Sequence, residues 1–122
     1  MQEPAEQKLL VSFDIDGTLE AGDPPGPITM DVVRRAKERG YLIGSCSDRT
    51  HREQRELWQS HDIEVDFVSL KHELTAIRGS SGCERFVHIG DSTVDEHYAG
   101  IAGFEFWFVH ELPAEGSDGW IF

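Results

Sequence analysis

Two aspartates separated by one residue, Asp14 and Asp16, stand where an apolar stretch gives way to a turn at Gly17. Two carboxylates this close are costly to remove from water unless a positive charge offsets them. Asp91 and Asp95 follow a second apolar stretch and would add two more. Oxygen ligands of this kind suit Mg²⁺, which keeps several waters and takes few protein carboxylates. The aspartates therefore predict a magnesium site, although an Asp-x-Asp on its own more often begins an ordinary turn.

The elements that must position these aspartates alternate along the chain. The predicted strands cover residues 9–13, 41–46, 65–70, 85–89 and 104–109. The predicted helices are one capped by Thr29 and closed by Gly40, followed by 49–60, 71–79 and 93–102. This alternation implies right-handed crossovers and a single α/β domain of 122 residues. We expect a three-layer, Rossmann-like fold whose five-stranded parallel sheet has helices on both faces.

Four polar side chains fall at or just after the carboxyl ends of predicted strands: Asp14, Ser47, Lys71 and Asp91. In open parallel sheets, ligands bind beyond these ends, near the point where strand order reverses. The four residues, each from a different strand, are therefore expected to converge on one edge of the sheet.

The same stretches resemble the motifs of the haloacid dehalogenase-like (HAD-like) superfamily of aspartate-nucleophile hydrolases. Its first motif resembles residues 13–19, FDIDGTL, nearly letter for letter, and its fourth resembles residues 90–95, GDSTVD. Ser47 and Lys71 match the second and third motifs. Each of these motifs is a single residue, so the two matches carry weight only because they occur in the expected order along the chain. The resemblance spans residues 9–109 and implies the HAD-like fold.

The resemblance also implies a magnesium-dependent phosphoric monoester hydrolase. Asp14 would attack phosphorus and form an aspartyl-phosphate, while Asp16 would act as general acid and base. Mg²⁺ would be held by the side chains of Asp14 and Asp91 and the main-chain carbonyl of Asp16, with Asp95 acting directly or through water. Lys71 would neutralise charge on the transferring phosphoryl group.

The same resemblance implies a phosphate-binding group at Ser47, assisted by main-chain amides near Ile15 and Asp48. Ser45 competes for this role, and Ser47 is preferred because Asp48 and Arg49 follow it as in the family. Asp48 and Arg49 are more often loop residues than ligands, although Arg49 could meet a substrate anion.

Some of these residues have plainer interpretations. Asp95 could equally be a first-turn carboxylate that complements the helix dipole. Lys71 could be an ordinary lysine, but a cation at a helix N-terminus is disfavoured, and this misfit favours a functional role. His88 lies inside a predicted strand and is expected to be a satisfied core residue, and the other histidines are given no role.

The formal charge of −12 argues against a chain that coats nucleic acid or anionic membranes, since such surfaces need an excess of Lys and Arg. Only a local patch around Arg49, Arg52 and Arg55 could override this. Cys46 and Cys83 have no metal-ligand spacing and are expected to be buried free thiols. With no signal peptide and no membrane-spanning run, a cytoplasmic location is expected.

Two positions that hold inserted cap domains in larger relatives are short here. Residues 20–28 form a Pro/Gly loop, and residues 71–85 fit only a helix and a turn, so we expect a capless protein with an open site. Residues 1–8 are expected to be a polar extension. The tail, residues 110–122, ends in Trp120, Ile121 and Phe122, and is expected to fold back onto the core slightly more readily than to form a homo-oligomer contact.

Several functions remain open at this stage. The substrate is expected to be a small phosphomonoester, with the phosphorylated end of a macromolecule as an alternative. A non-catalytic module that binds phosphate and magnesium is a further alternative. A receiver domain is disfavoured because it needs adjacent acids after its first strand and a phosphorylated aspartate after its third, where Leu70 and Lys71 stand.

Overall fold

The computed structural model describes residues 8–120, in which strands alternate with helices. The strands are β1 (Leu9–Phe13), β2 (Leu42–Cys46), β3 (Phe67–Ser69), β4 (Arg85–Gly90) and β5 (Glu105–Phe108). The helices are α1 (Met30–Glu38), α2 (His51–Ser60), α3 (Leu74–Ser81) and α4 (Thr93–Ala102), with short 3₁₀ turns at Lys71–Glu73 and Val109–Glu111. The extension predicted for residues 1–8 lies outside the described residues except for Lys8.

All five strands run parallel in the order β3-β2-β1-β4-β5. β1 lies at the centre, paired with β2 on one side and β4 on the other. The chain moves outward from β1 to β3 and then crosses back to β4, so strand order reverses between β1 and β4. This confirms the predicted Rossmann-like α/β fold and places its ligand-binding crevice at the carboxyl ends of these two strands.

Successive side chains of β1 point to opposite faces of the sheet, as a strand's two-residue period requires. Val11 and Phe13 belong to one apolar cluster and Leu10 to a second. α1 and α2 cover the first cluster, to which α2 contributes the fully buried Trp58. α3 and α4 cover the second, through residues such as Leu74. Helices therefore pack on both faces, and β1 is buried throughout.

Helix boundaries differ from the sequence prediction at three places. One is the start of α3, because Lys71–Glu73 form a 3₁₀ turn and the α-helix begins only at Leu74. α2 begins at His51 rather than at Arg49, because Thr50 caps it: the Thr50 hydroxyl accepts from Glu53 N, and the Glu53 carboxylate accepts from Thr50 N. Arg49 therefore lies in the loop after β2. α3 continues to Ser81 instead of ending near residue 79, because the left-handed residue that closes it is Gly82, at φ 73°.

The two segments in which a cap domain could be inserted are both short. Residues 14–29 join β1 to α1 in a loop fastened by a bridge between Leu19 and Ile28. Only the first 3₁₀ turn and α3 stand between β3 and β4. The described residues thus contain no domain inserted at either position.

Three smaller expectations concern the thiols, the tail and membranes. Cys46 is buried and Cys83 only half-buried, which corrects the expectation that both are buried; both are free. Trp120 packs against the first apolar cluster, while Ile121 and Phe122 lie outside the described residues. Among residues 8–120, no helix has the length and apolar character needed to cross a membrane.

Candidate active site

Three aspartates converge at the carboxyl ends of β1 and β4. Asp14 directly follows β1, Asp91 directly follows β4, and Asp95 lies in the first turn of α4. Each contributes a carboxylate oxygen to a group whose members lie within 4.8 Å of one another. Asp14 is only 5% exposed and Asp95 is fully buried, so this acidic cluster is largely shielded from water.

Two glycines allow the carboxylates to approach the backbone this closely. Gly17 has a left-handed φ of 80°, and a Cβ built on it would lie 1.9 Å from Asp91 Oδ2. A Cβ on Gly90 would lie 2.5 Å from Asp95 Cγ. Any side chain at either position would therefore displace an aspartate of the cluster. The cluster is thus a packed arrangement, and its all-oxygen donor set fits a hard divalent cation such as Mg²⁺.

The pKa values of Asp14 and Asp95, the two most buried acids of the cluster, are shifted in opposite directions. Burial raises the pKa of Asp14 to about 8; the negative charge of Asp95 adds to this increase and Lys71 opposes it. Burial also acts to raise the pKa of Asp95, but hydrogen bonds from His88 and Ser92 and the charge of Lys71 outweigh it and lower that pKa to about 2. Without a cation, Asp14 therefore holds a proton at neutral pH while Asp95 is ionised.

Lys71 supplies the positive charge nearest the acidic cluster. It opens the 3₁₀ turn after β3, and its Nζ lies 3.6 Å from Asp95 Oδ1 and 3.5 Å from Asp48 Oδ2. Burial acts to lower the pKa of Lys71, but the charges of Asp95, Asp14 and Asp48 outweigh it and raise that pKa. A mostly buried ammonium that stays protonated is suited to binding a further anion that enters the cleft.

The Asp16 carboxylate is not part of this cluster and pairs instead with Arg49. Arg49 Nη2 lies 2.7 Å from Asp16 Oδ1 and Nε lies 3.2 Å from Oδ2, a two-pronged contact. The main-chain N–H of Asp23 also donates to Oδ1, at 2.8 Å. Hydrogen bonding by Arg49 lowers the pKa of Asp16 despite partial burial, so Asp16 is held as an anion in this arrangement.

The two serines of β2 and its exit loop have different partners. Ser45 is fully buried; its hydroxyl donates to Gln54 Oε1 at 2.6 Å and accepts from Trp58 Nε1 at 3.0 Å. Ser47 Oγ accepts from the main-chain N–H of Arg49 at 3.0 Å and retains a proton that it can donate. The geometry therefore makes Ser47 the better candidate for binding phosphate.

Sequence reasoning missed the buried amide of Gln54. Its Nε2 donates to the carbonyls of Arg49 and Ser69, at 2.9 Å each, and so ties the loop after β2 to the end of β3. The spacing could have revealed it, because Gln54 stands one helical turn before Trp58 and shares its inward face.

His88 is the satisfied core residue that its strand position predicts, but its partners were not foreseen. Its Nδ1 lies 2.9 Å from Ser12 Oγ and its Nε2 lies 2.9 Å from Asp95 Oδ1. No spacing in the sequence marks the contact with Ser12, since it depends on the register between β1 and β4, which pairs Ser12 with His88.

No family model matches the chain, and no curated protein matches it. Its fold is similar to the NMR structure of the core domain of "a putative phosphoglycolate phosphatase" from Streptococcus pneumoniae TIGR4. The similarity has a TM-score of 0.63 and covers 83% of this chain and 79% of that one, at 18% sequence identity. At this identity the comparison establishes the fold.

Proposed function

We propose that this chain is a magnesium-dependent phosphatase of the HAD-like superfamily, without a cap domain, that hydrolyses a phosphomonoester through an aspartyl-phosphate on Asp14. The observation that carries the proposal is the meeting of Asp14, Asp91 and Asp95 with Lys71 at the switch point of the sheet. Support also comes from the order of the four motifs and from the similar fold of a protein described as a phosphatase.

Asp14 is the nucleophile in this proposal. Its Oδ1 accepts from the main-chain N–H of Ile15 at 2.8 Å, which fixes the carboxylate at the end of β1. A carboxylate oxygen forms a bond to phosphorus while the bond to the leaving oxygen breaks, and water then cleaves the aspartyl-phosphate to release inorganic phosphate. Dividing the displacement into two steps lets each use the same fixed groups.

Asp16 transfers the protons. It donates one to the leaving oxygen in the first step and accepts one from the attacking water in the second. Arg49 now binds the Asp16 carboxylate and keeps it ionised, so an incoming phosphate dianion would compete for the guanidinium and release Asp16 to take up a proton from water before it donates one. Arg49 is thereby proposed as a substrate-binding residue, together with the Ser47 hydroxyl and the main-chain amides near Ile15 and Asp48.

Mg²⁺ fits the donor set described above. Asp14 and Asp91 would hold it through their side chains and Asp16 through its main-chain carbonyl, with Asp95 acting directly or through water. When bound, the ion neutralises charge on the phosphoryl group. Lys71, whose Nζ lies 3.6 Å from Asp95 Oδ1, contributes a second positive charge and would bind a phosphoryl oxygen.

A panel of phosphomonoesters tested with and without Mg²⁺ checks the proposal, with phosphate release as the readout. We expect turnover of at least one ester that needs Mg²⁺ and disappears in Asp14→Asn, while circular dichroism shows an unchanged fold. Substantial magnesium-dependent turnover by Asp14→Asn would remove Asp14 as the nucleophile. A panel without any turnover would favour the non-catalytic module that binds phosphate and magnesium.

The open site also accommodates a second candidate, the phosphorylated end of a macromolecule. No inserted domain covers the cleft in residues 8–120, so a large substrate could reach Asp14. Two observations favour a small molecule over nucleic acid: the net charge of −12, and the pairing of Arg49 and Arg52 with Asp16 and Glu56. A cytoplasmic location remains part of the proposal, whereas a homo-oligomer contact through the tail is the alternative to a tail that folds back onto its own domain.

A further inference from the structure

We propose that His88 is a positioning residue, which fixes the carboxylate of Asp95 at the candidate magnesium site through its Nε2–H. This inference rests on the proposed function in one respect, namely that Asp95 acts on the ion. It concerns a buried residue whose two ring nitrogens both face protein partners.

The geometry joins three elements in one buried chain of hydrogen bonds. Ser12 on β1, His88 on β4 and Asp95 on α4 are each fully buried. His88 spans the other two, with 2.9 Å from Nδ1 to Ser12 Oγ and 2.9 Å from Nε2 to Asp95 Oδ1. A buried polar network in which every member is bonded favours one arrangement of its side chains.

The chemistry of the partners assigns the protons. An ionised carboxylate can only accept hydrogen bonds, so Nε2 must carry the proton that faces Asp95. Nδ1 can then accept from the Ser12 hydroxyl, which has a proton to donate. The carboxylate of Asp95 thus requires the ring form in which His88 donates to it, and the Ser12 hydroxyl satisfies the other nitrogen.

Asp95 is held through both of its oxygens. His88 binds Oδ1, while the Ser92 hydroxyl donates to Oδ2 at 2.9 Å. Gly90 lies directly against the carboxylate, because a Cβ there would lie 2.5 Å from Asp95 Cγ. These contacts, made by the protein alone, set the direction in which Asp95 faces the other two aspartates. Residues that orient metal ligands in this way commonly change metal affinity by tenfold to a hundredfold when they are replaced.

The protonation of the ring gives a direct test on the unmodified protein. In the full chain labelled with ¹⁵N, long-range proton–nitrogen correlation distinguishes the two ring nitrogens of His88. We expect a proton on Nε2. A ring that is protonated only on Nδ1 has no donor for Asp95 and would overturn the proposal, whatever the behaviour of any variant.

Two amide substitutions then separate the two ends of the ring. His88→Gln places an N–H near the position of Nε2 and keeps the bond to Asp95, whereas His88→Asn reaches only toward Ser12. Titration calorimetry with Mg²⁺ alone should show affinity reduced about tenfold or more in His88→Asn and within about threefold of the original in His88→Gln. Ser12→Ala serves as the control at the far end of the chain of bonds and should have a smaller effect than His88→Asn.

The outcomes distinguish this inference from the proposed function. Folded His88→Asn protein that binds Mg²⁺ as tightly as the original chain overturns the positioning role, even if esters are hydrolysed normally. The expected order of affinities with no ester hydrolysed supports the positioning role and counts against the phosphatase. An original chain that binds no Mg²⁺ overturns both.

Discussion

Asp14 is placed where its ionised form is disfavoured until a cation arrives. In the folded chain its pKa is raised to about 8, from an ordinary value of 3.8 that applies to the unfolded chain. Between these two values the folded state keeps a proton that the unfolded state has lost. Stability without metal therefore falls as the pH rises from about 4 to 8.

Asp14→Asn has no carboxyl group to titrate and so avoids this loss of folding stability with rising pH. The variant should therefore be more stable than the original chain without metal, most strongly at high pH. Urea unfolding with a chelator present at pH 5 and pH 8 measures the effect. We expect the advantage of the variant to grow by at least about 1 kcal/mol between the two pH values. An advantage that is the same at both would contradict the raised pKa of Asp14.

Asp16→Asn tests the proton transfers. The variant cannot give or take a proton, so kcat should fall by about 10²- to 10⁴-fold if proton transfer is needed in both steps. Asp118→Asn, at an exposed position in the tail, changes the net charge equally and should leave kcat unchanged. Near-normal rates for Asp16→Asn would remove it from the acid and base role.

Two turns of the fold contain a glycine in the left-handed conformation, but the surroundings of the two glycines differ. Gly17 and Gly82 have φ values of 80° and 73°, but only Gly17 has a carboxylate where its Cβ would be. Gly82→Ala should cost about 1 kcal/mol of stability and leave Mg²⁺ affinity unchanged. Gly17→Ala should also displace Asp91 and abolish Mg²⁺ binding by calorimetry. Equal Mg²⁺ affinity in the two variants would show that Asp91 is not needed for the ion.

Two glutamines of α2, one buried and one exposed, offer a second matched pair of variants. Gln54→Leu leaves the carbonyls of Arg49 and Ser69 and the hydroxyl of Ser45 without their amide partner, which should cost about 1 to 3 kcal/mol of unfolding free energy. Gln59→Leu changes an exposed glutamine of the same helix and should alter stability by less than about 0.5 kcal/mol. Urea unfolding compares them, and equal losses would mean that the buried amide is dispensable.

A feature of the fold could be predicted from the sequence when the residues that determine it lie close together along the chain. Apolar runs and their ends indicated the strands and hence the meeting of Asp14 with Asp91, because parallel strands end at one edge. The start of α2 was missed although Thr50 and Glu53 have capping-box spacing. The contact between His88 and Asp95 could not be predicted, since it depends on how α4 packs against β4.

At the scale of the whole molecule, the tail bears on assembly. Trp120 packs against the first apolar cluster, and Glu115 pairs with Arg35 on α1, so the described part of the tail lies on its own domain. Deleting residues 116–122 should lower the unfolding free energy by about 1 to 3 kcal/mol, because an apolar surface loses its cover. Light scattering gives the mass in solution: a smaller assembly after deletion would support a subunit contact, and an unchanged one would reject it.

The central place of β1 in the sheet has a consequence for how the protein is made. β1 leaves the ribosome before the other four strands of this sheet, yet its bonded neighbour β4 begins only at Arg85. Until that segment emerges, one edge of the most apolar strand has no partner, and such edges invite pairing between nascent chains. Asp14 is likewise synthesised long before Asp91, so an ion in the cell could stabilise the folded chain only after Asp91 has emerged.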